Sequence, residues 1–495
     1  MPSATSFDAI VIGAGVVGPA IATALARQGQ KVLIIEREWS EPDRIVGELM
    51  QPAGIKALRE LGLIQAISNI GAVYCSGYYI KFHNEAIRLS YGSKELCQRT
   101  APFEPVPECV FDGNDKLSST DEFLRLKDWD EDENVRGVSF VHGKFLINLR
   151  NTVRAESNVT WVEGNVTAVI RDEIDPDHVI GVKVKVAGGM CNEFFASVTF
   201  ACDGIWSKFR KEHAPDYVPT VGSYFVGLAL MHAKLPVKHH GNVILGDHAP
   251  VLVYQVSSEE TRMLCAYKST KPPSLSKNEF FDYLMNEVLP NLPEELYPSF
   301  KEAVASKKFR AMPNQFLSAA KQGEKNRGFI MLGDSLNMRH PLTGGGMTVG
   351  LNDAALLGKL LYHVDLKDWS EVKKKLAIFH SKRKNLDAVI NTLSIALFSL
   401  FSADNIALKI LQRGCFKYFL LGGDFTNGPI GLLSGMLPFP MLLFTHFFSV
   451  AFYSIYVNFS LHGVVGFPLA LYEAFDTFYT AAMVFTPFLW AELVG

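Results

Sequence analysis

Phe7-Asp-Ala-Ile-Val-Ile12, running directly into Gly13-Ala-Gly15-Val16-Val17-Gly18, is the stretch that decides the fold. An apolar run of this length suits a buried parallel strand, and the glycines fall where such a strand must turn into a helix. Pro19 sits in the first helical turn, where its missing N–H costs nothing, and the helix is expected to reach Arg27. Gly29 breaks it, Lys31 to Ile35 reads as a second strand, and Glu36 stands at that strand's end. Together these make a βαβ unit carrying the dinucleotide fingerprint. Gly13 allows the tight turn, Gly15 admits a pyrophosphate to the backbone, and Gly18 lets helix and strand pack closely. The helix N-terminus aims N–H groups at phosphates, and the Glu36 carboxylate can accept from both ribose hydroxyls.

A second motif lies far downstream. Phe329-Ile-Met-Leu332 is another short apolar strand, and it runs into Gly333-Asp334-Ser-Leu-Asn337-Met-Arg339-His340-Pro341-Leu-Thr-Gly344-Gly345-Gly346-Met347, with a helix expected from Val349 to Leu361. An aspartate at a strand end can bind a sugar hydroxyl, and a glycine-rich helix start offers N–H dipoles to a second anionic group. A nicotinamide dinucleotide has no use for that second site. An isoalloxazine ring does, because reduced flavin carries negative charge on its pyrimidine side. His340, beside Pro341, is read as shaping this loop and not as a base.

Between the motifs the pattern changes. Val141 to Arg154 is helix-like, Val159 to Val162 and Val166 to Arg171 look like strands, and Ser197 to Ala201 is a strand ending at Asp203-Gly204. Alternation in Tyr224-Phe-Val-Gly-Leu-Ala-Leu230 and Val251-Leu-Val-Tyr-Gln-Val256 suggests an antiparallel sheet inserted into the nucleotide domain. The acidic run Asp128 to Glu133 lacks the spaced ligands of a calcium loop and reads as a solvated face.

The chain has 495 residues, 48% hydrophobic and 20% charged, with net charge -3 and mean hydropathy +0.12. That balance excludes a disordered chain and argues against a nucleic-acid partner. Seven cysteines without a C-x-x-C pair indicate neither a disulfide framework nor a four-ligand zinc site, so reduced thiols are expected and no metal is called for. Met1 to Phe7 lack the basic and apolar regions of a secretory signal, so membrane attachment is expected elsewhere.

The C-terminal region supplies it. Phe425 to Tyr472 contains no Asp, Glu, Lys or Arg, and about 20 apolar residues suffice to cross a bilayer. Met441 to Leu461 and Leu469 to Thr486 are the helical candidates, with Pro438, Pro440, Pro468 and Pro487 flanking them. Glu473 and Asp476 would be costly at the bilayer centre, which favours a partly embedded pair over two clean spans. Lys382-Arg-Lys384, Lys409, Arg413 and Lys417 precede the apolar region and are expected to meet anionic headgroups.

On these residues the chain resembles the flavoprotein monooxygenases and, among them, the squalene monooxygenase (squalene epoxidase) family. The matching pieces are Gly13 to Gly18, Glu36-Arg37, Pro42 to Pro52, His142 to Arg150, Cys202-Asp203-Gly204, Gly333-Asp334, Asn337 to Met347, and Cys415 to Gly423. The resemblance covers essentially the whole chain. It implies an α/β fold: a Rossmann-like FAD-binding domain (1–75, 135–220 and 325–362), an inserted antiparallel β-sheet substrate domain (76–134 and 221–324), and a helical, membrane-associated C-terminal region (363–495).

The implied reaction is epoxidation of squalene to (S)-2,3-oxidosqualene with O2, an early oxygenation step of sterol biosynthesis of the ergosterol type. NADPH would supply the electrons through a membrane-bound NADPH-cytochrome reductase. The implied location is the cytosolic face of the endoplasmic reticulum membrane, with lipid droplets and microsomes as further stations. Carried over position by position, Gly13, Gly15, Val16, Val17 and Gly18 line the dinucleotide loop, and Glu36 with Arg37 holds the adenosine. Arg44, Leu49, Arg150 and Val166 complete the FAD shell, with Asp203 beside it. Asp334 binds the ribityl chain, and Gly345, Gly346 and Met347 sit at the ring. Tyr78 is the implied catalytic-site tyrosine, placed to bond the Gln51 amide. Leu228, Leu230, Val251, Val253 and Tyr254 are candidate walls of an apolar tunnel. Two other readings compete: a different flavin-dependent hydroxylase or isoprenoid reductase, and a non-catalytic membrane-tethered flavin sensor.

Overall fold

The structure is a computed structural model, described over residues 6–45, 47–92, 135–246, 248–269, 271 and 279–494. Pro102, Pro105, Pro107, Cys97, Cys109 and the acidic run 128–133 lie outside the described residues. The five described cysteines are all free thiols.

The first sheet grows outward from Ser6–Ile12, whose Ala9, Ile10 and Val11 are wholly buried. This strand pairs in parallel with Val32–Glu36 on one side and Cys191–Ala201 on the other. Val159–Arg171 extends the first side in parallel and Phe329–Met331 extends the second. Val179–Val186 runs antiparallel to both Val159–Arg171 and Cys191–Ala201. Register decides function here. Ile12 lies opposite Ala201, and Ala201 opposite Met331, so three parallel strands end side by side and deliver Gly13, Asp203 and Gly333 to one edge. The crevice beyond strand carboxyl ends is where open α/β sheets bind ligands. The two segments read as separate strands, 159–162 and 166–171, form one strand with irregular register between Val166 and Ala168. A bulge absorbs the break in alternation without ending the ladder.

The second sheet has seven strands in the order Arg310–Phe316, Thr220–Met231, Glu260–Tyr267, Val251–Gln255, Gly241–Leu245, Gly77–Phe82 and Glu85–Ser90. It is antiparallel except where Gly241–Leu245 meets Gly77–Phe82 in parallel. Those two strands come from segments far apart in sequence, so no hairpin forces them antiparallel. Period-2 alternation gives the sheet two apolar faces. One carries Val226, Leu228, Leu230, Val251 and Val253 against Phe280, Leu284 and Phe300 of the segment that covers it. The other carries Phe225, Leu252, Tyr254, Leu264 and Tyr78 toward Leu49, Leu342 and the C-terminal helices. Four of the five candidate wall residues are therefore ordinary core beneath a helical cover, and only Tyr254 faces the site.

Past the glycine-motif helix Gly345–Leu360, the C-terminal region is helical: Trp369–Phe401, Ile406–Phe419, Asp424–Leu433, Pro440–His462 and Phe467–Val494. Backbone-close contacts pack these helices. A Cβ on Gly414 would meet Ser454 Oγ at 1.9 Å. The last two helices form a hairpin, with Phe447 stacked on Phe485 at 4.1 Å and Phe448 near Phe478 at 6.0 Å. Pro440 and Pro468 fall in first turns, but Pro487 lies inside the last helix and does not flank it. Such prolines persist where neighbouring helices re-satisfy the freed backbone. Glu473 is partnered, accepting from Asn458 Nδ2 at 2.7 Å and lying 2.8 Å from His462 Nε2. Pro440–His462 is long and apolar enough to cross a membrane. The hairpin also exposes Met441, Phe452, Tyr456, Val464, Val465, Tyr472, Phe475 and Tyr479. Large exposed apolar patches mark membrane or partner sites.

Candidate flavin site at the meeting of two glycine turns

The first turn is fixed by its own backbone. Gly13 has φ +97°, and a Cβ there would lie 2.7 Å from the Cys202 carbonyl oxygen. A Cβ on Gly18 would stand 1.9 Å from the Gly13 carbonyl, whereas around Gly15 nothing lies within 4 Å. The outer glycines are thus demanded by close approach, and the middle one opens onto free space. The helix Val17–Arg27 has no side-chain cap and no acidic residue in its first turn, so its leading N–H groups await an acceptor. Glu36 Oε2 accepts from Ala14 N at 2.7 Å, and Arg150 ties the loop down by donating to the Ala14 carbonyl at 2.9 Å and the Ser40 carbonyl at 2.7 Å.

The second turn sits against the first. Val17 packs where a Cβ on Gly333 would touch it at 3.0 Å, and one on Gly350 at 2.7 Å. Gly344 takes the left-handed conformation at φ +63° and starts the helix Gly345–Leu360, again with no side-chain cap and no first-turn acid. Nothing lies within 4 Å of a Cβ on Gly346. Asp334 stands at the strand end with its carboxyl raised by burial and drawn down again by Arg339, Arg210 and Arg44. Asp203 is likewise raised by burial, and its Oδ1 has no partner.

Around this second turn lies a buried polar cluster. Gln51 Nε2 donates to Tyr78 Oη at 2.7 Å and to the Thr343 carbonyl at 2.5 Å, while Tyr91 Oη donates to Gln51 Oε1 at 2.5 Å. Burial raises the Tyr78 phenol, so it stays protonated. His340 accepts from Leu342 N at Nδ1, which places its proton on Nε2, 3.2 Å from Ser223 Oγ. Burial lowers its pKa to about 3, consistent with a neutral ring that shapes the loop. Glu48 is paired with Arg262 of the second sheet at 2.7 Å, yet burial pushes its carboxyl up to about 7 and leaves Oε1 without a partner.

The fold brings together Gly13, Gly15, Val16, Val17, Gly18, Glu36 and Arg150 at one end, and Asp334, Gly345, Gly346 and Met347 at the other, with Asp203 behind Gly13. Leu49 is buried beside Gly344, its carbonyl 3.1 Å from a Cβ placed there. Arg37 and Arg44 are exposed, and Val166 is buried in its strand opposite Val184. Of the basic residues assigned to headgroups, Arg383 is not available. It is buried between Asp353 and Asp387, while Lys417 binds Glu85 at 2.9 Å. Tyr91 and Arg262 escaped sequence reasoning because no local motif marks them and their partners lie 40 and 214 residues away. Two uncapped helix N-termini, two open glycines and an orphaned carboxylate oxygen fit an extended dinucleotide with a charged ring system.

Residues 6–103 match the family described as FAD binding domain, and residues 195–472 the family described as squalene epoxidase. The chain is 61% identical to the squalene epoxidase of Candida albicans over 99% of its length and 100% of that protein's. It is 52% identical to that of Saccharomyces cerevisiae over 99% and 97%. With the squalene monooxygenase of Rattus norvegicus it shares 37% identity over 99% of this chain and 78% of the relative. Among solved structures, p-nitrophenol 4-monooxygenase PnpA from Pseudomonas putida superposes with TM-score 0.63 at 15% identity, covering 87% of this chain and 98% of that one. PqsL from Pseudomonas aeruginosa superposes at 0.60 and 20% identity, covering 81% and 97%, which places the fold among flavin monooxygenases. With its two glycine turns joined on one sheet edge and its sequence matched end to end, the chain belongs to the squalene epoxidase family.

Proposed function

We infer that this protein is an FAD-dependent monooxygenase that epoxidises squalene to 2,3-oxidosqualene in sterol biosynthesis. The observation that carries the reading is the apolar face of the second sheet. It meets the second glycine turn through Leu49 and Leu342, and continues into the tail helices through Leu393, Leu400 and Phe416. This apolar cluster supports a route by which a hydrocarbon drawn from lipid would approach the flavin. Transfer from bilayer to such a wall costs little, because both sides are apolar.

FAD, when bound and reduced, supplies activation of dioxygen. One oxygen atom goes to the alkene, the other leaves as water, and NADPH is oxidised in balance. The protein's own part is binding, orientation and exclusion of water. Glu36 and the N–H groups of the first turn hold the adenosine and pyrophosphate end, with Arg150 fixing that loop and Arg37, Arg44 and Val166 around it. Asp334 holds the ribityl chain, and the helix start at Gly345 and Gly346 stabilises negative charge on the ring beside Met347. Tyr78, through Gln51, holds Thr343 and so the turn that faces the ring. As a protonated phenol it is a positioning group and not a base.

The electron donor is a membrane-bound NADPH-cytochrome reductase, and the protein sits on the cytosolic face of the endoplasmic reticulum and on lipid droplets. The one dinucleotide fingerprint, Gly13 to Gly18, supports an external donor. The test is reconstitution of the purified chain in vesicles. Squalene-dependent NADPH oxidation that requires added reductase supports the reading, and equal rates with NADPH alone refute the partner.

A further inference from the structure

We propose that Glu492, in the last turns of the C-terminal hairpin, is a positioning residue for the flavin site: its carboxyl group latches the final helix to the turn that receives the ring. The proposal rests on the FAD reading above. Glu492 is 2% exposed on a helix, Phe467–Val494, whose other face presents Phe475, Tyr479 and Met483 outward. A carboxyl so buried in an apolar helix is costly unless it is bonded. Its Oε1 accepts from Asn391 Nδ2 at 2.8 Å.

From there a relay of buried groups leads inward. The same Asn391 amide donates to Asn337 Oδ1 at 3.0 Å, and that oxygen also accepts from Arg339 Nη2 at 2.5 Å. Arg339 donates through Nη1 to the Gly346 carbonyl at 3.3 Å. Gly346 is the open glycine at the start of the second cofactor helix. Asn337 and Asn391 are fully buried, and Ile390 lies beside Asn391 where a Cβ on Gly345 would strike it at 2.3 Å. The final helix and the flavin turn thus share one hydrogen-bonded chain of four side chains. Each group in it has an orientation fixed by the next, so loosening one end loosens the other. Nothing in the dinucleotide chemistry needs an acid at position 492. The relay gives the enzyme a way to hold its cofactor firmly only when the membrane-facing hairpin is seated.

Coupling of this kind is reciprocal: if the seated helix favours FAD, FAD must favour the seated helix. The experiment uses the full chain in detergent micelles. FAD affinity is read by flavin fluorescence, and backbone amide exchange of residues 484–494 is followed with and without FAD. Glu492→Ala is expected to weaken FAD binding about fivefold or more. Glu492→Gln, which keeps an acceptor oxygen for Asn391, is expected to stay within about twofold of the native value, as a hydrogen-bond latch requires. In the native chain, FAD is expected to slow exchange in 484–494 by about fivefold, a readout that needs no variant to fold. Native FAD uptake with unchanged exchange, or Glu492→Ala binding FAD as the native chain does, overturns the latch alone. A Glu492→Gln variant as weak as Glu492→Ala overturns the acceptor role. A native chain that takes up no FAD removes the flavin reading and the latch together.

Discussion

The turn at Gly13–Gly18 is shaped by close backbone contacts, its own and one with Cys202, with Arg150 tying it down, whereas the turn at Gly344–Gly346 is held by side chains from three other parts of the chain. In the first, each required glycine answers to neighbouring backbone: Gly18 to the Gly13 carbonyl, Gly13 to that of Cys202. In the second, Gln51 and Tyr78 hold Thr343 from the sheet side, Ile390 closes on Gly345 from the helical tail, and Arg339 reaches Gly346. A nucleotide-phosphate cradle needs only fixed donors, and backbone contacts fix them. On the proposed reading the second turn lies at the ring, and its supports come from the second sheet and the helical tail.

The sharpest way to break this contrast is Gly18→Ala. With a Cβ 1.9 Å from a backbone carbonyl and no flexible side chain to yield, the turn must open. Overpacking of this kind costs about 3 kcal/mol, so FAD affinity should fall about a hundredfold, read by equilibrium dialysis. Retention of FAD at native affinity would show that the first turn is not rigid. The second turn should lose function without losing cofactor. Tyr78→Phe removes one partner of the Gln51 amide, which keeps Thr343, so FAD should be retained while single-turnover epoxidation slows about tenfold. Unchanged turnover would end the role assigned to Tyr78.

This contrast also decides what was legible beforehand. The first turn could be read in full because strand, glycines, helix and Glu36 lie within one local unit. From its own residues the second could be read only as a glycine motif: the Tyr78–Gln51 bond was implied by the resemblance alone, and the contacts of Tyr91 and Ile390 are made by tertiary folding. Alternation marked Val251 to Val256 as a strand, but period 2 is symmetric between faces. It could not tell that Val251 and Val253 lie under a helical cover while Tyr254 faces the site. Arg383 shows the same limit. A basic cluster ahead of an apolar segment resembles a headgroup binder, yet the helix turns this one cation inward to Asp353 and Asp387.

A smaller effect, at His340 beside the second turn, is read by pH. Burial lowers the pKa of His340 to about 3, against an ordinary value of 6.5, so the folded chain binds fewer protons than the unfolded chain between those values. Stability from this group is full above pH 6.5 and is lost as pH falls toward 3. His142, lowered by burial to about 4, acts in the same direction. Glu48 opposes both: its carboxyl, raised from 4.5 to about 7, favours the fold at low pH and loses that contribution as pH rises through 7. These two histidines should therefore pull the melting temperature down on acidification below 6.5. His340→Asn, which keeps an acceptor but does not titrate, should flatten that decline, and an unaltered slope would show that His340 is not buried neutral.

The most direct test of the whole account follows the oxygen. The full chain, loaded with FAD and placed in vesicles with squalene, reductase and NADPH, is supplied with isotopically labelled dioxygen. The account predicts one labelled oxygen in 2,3-oxidosqualene, with NADPH consumption that depends on squalene. Labelled product from a polar phenol in place of squalene, or oxygen consumption indifferent to squalene, would contradict it.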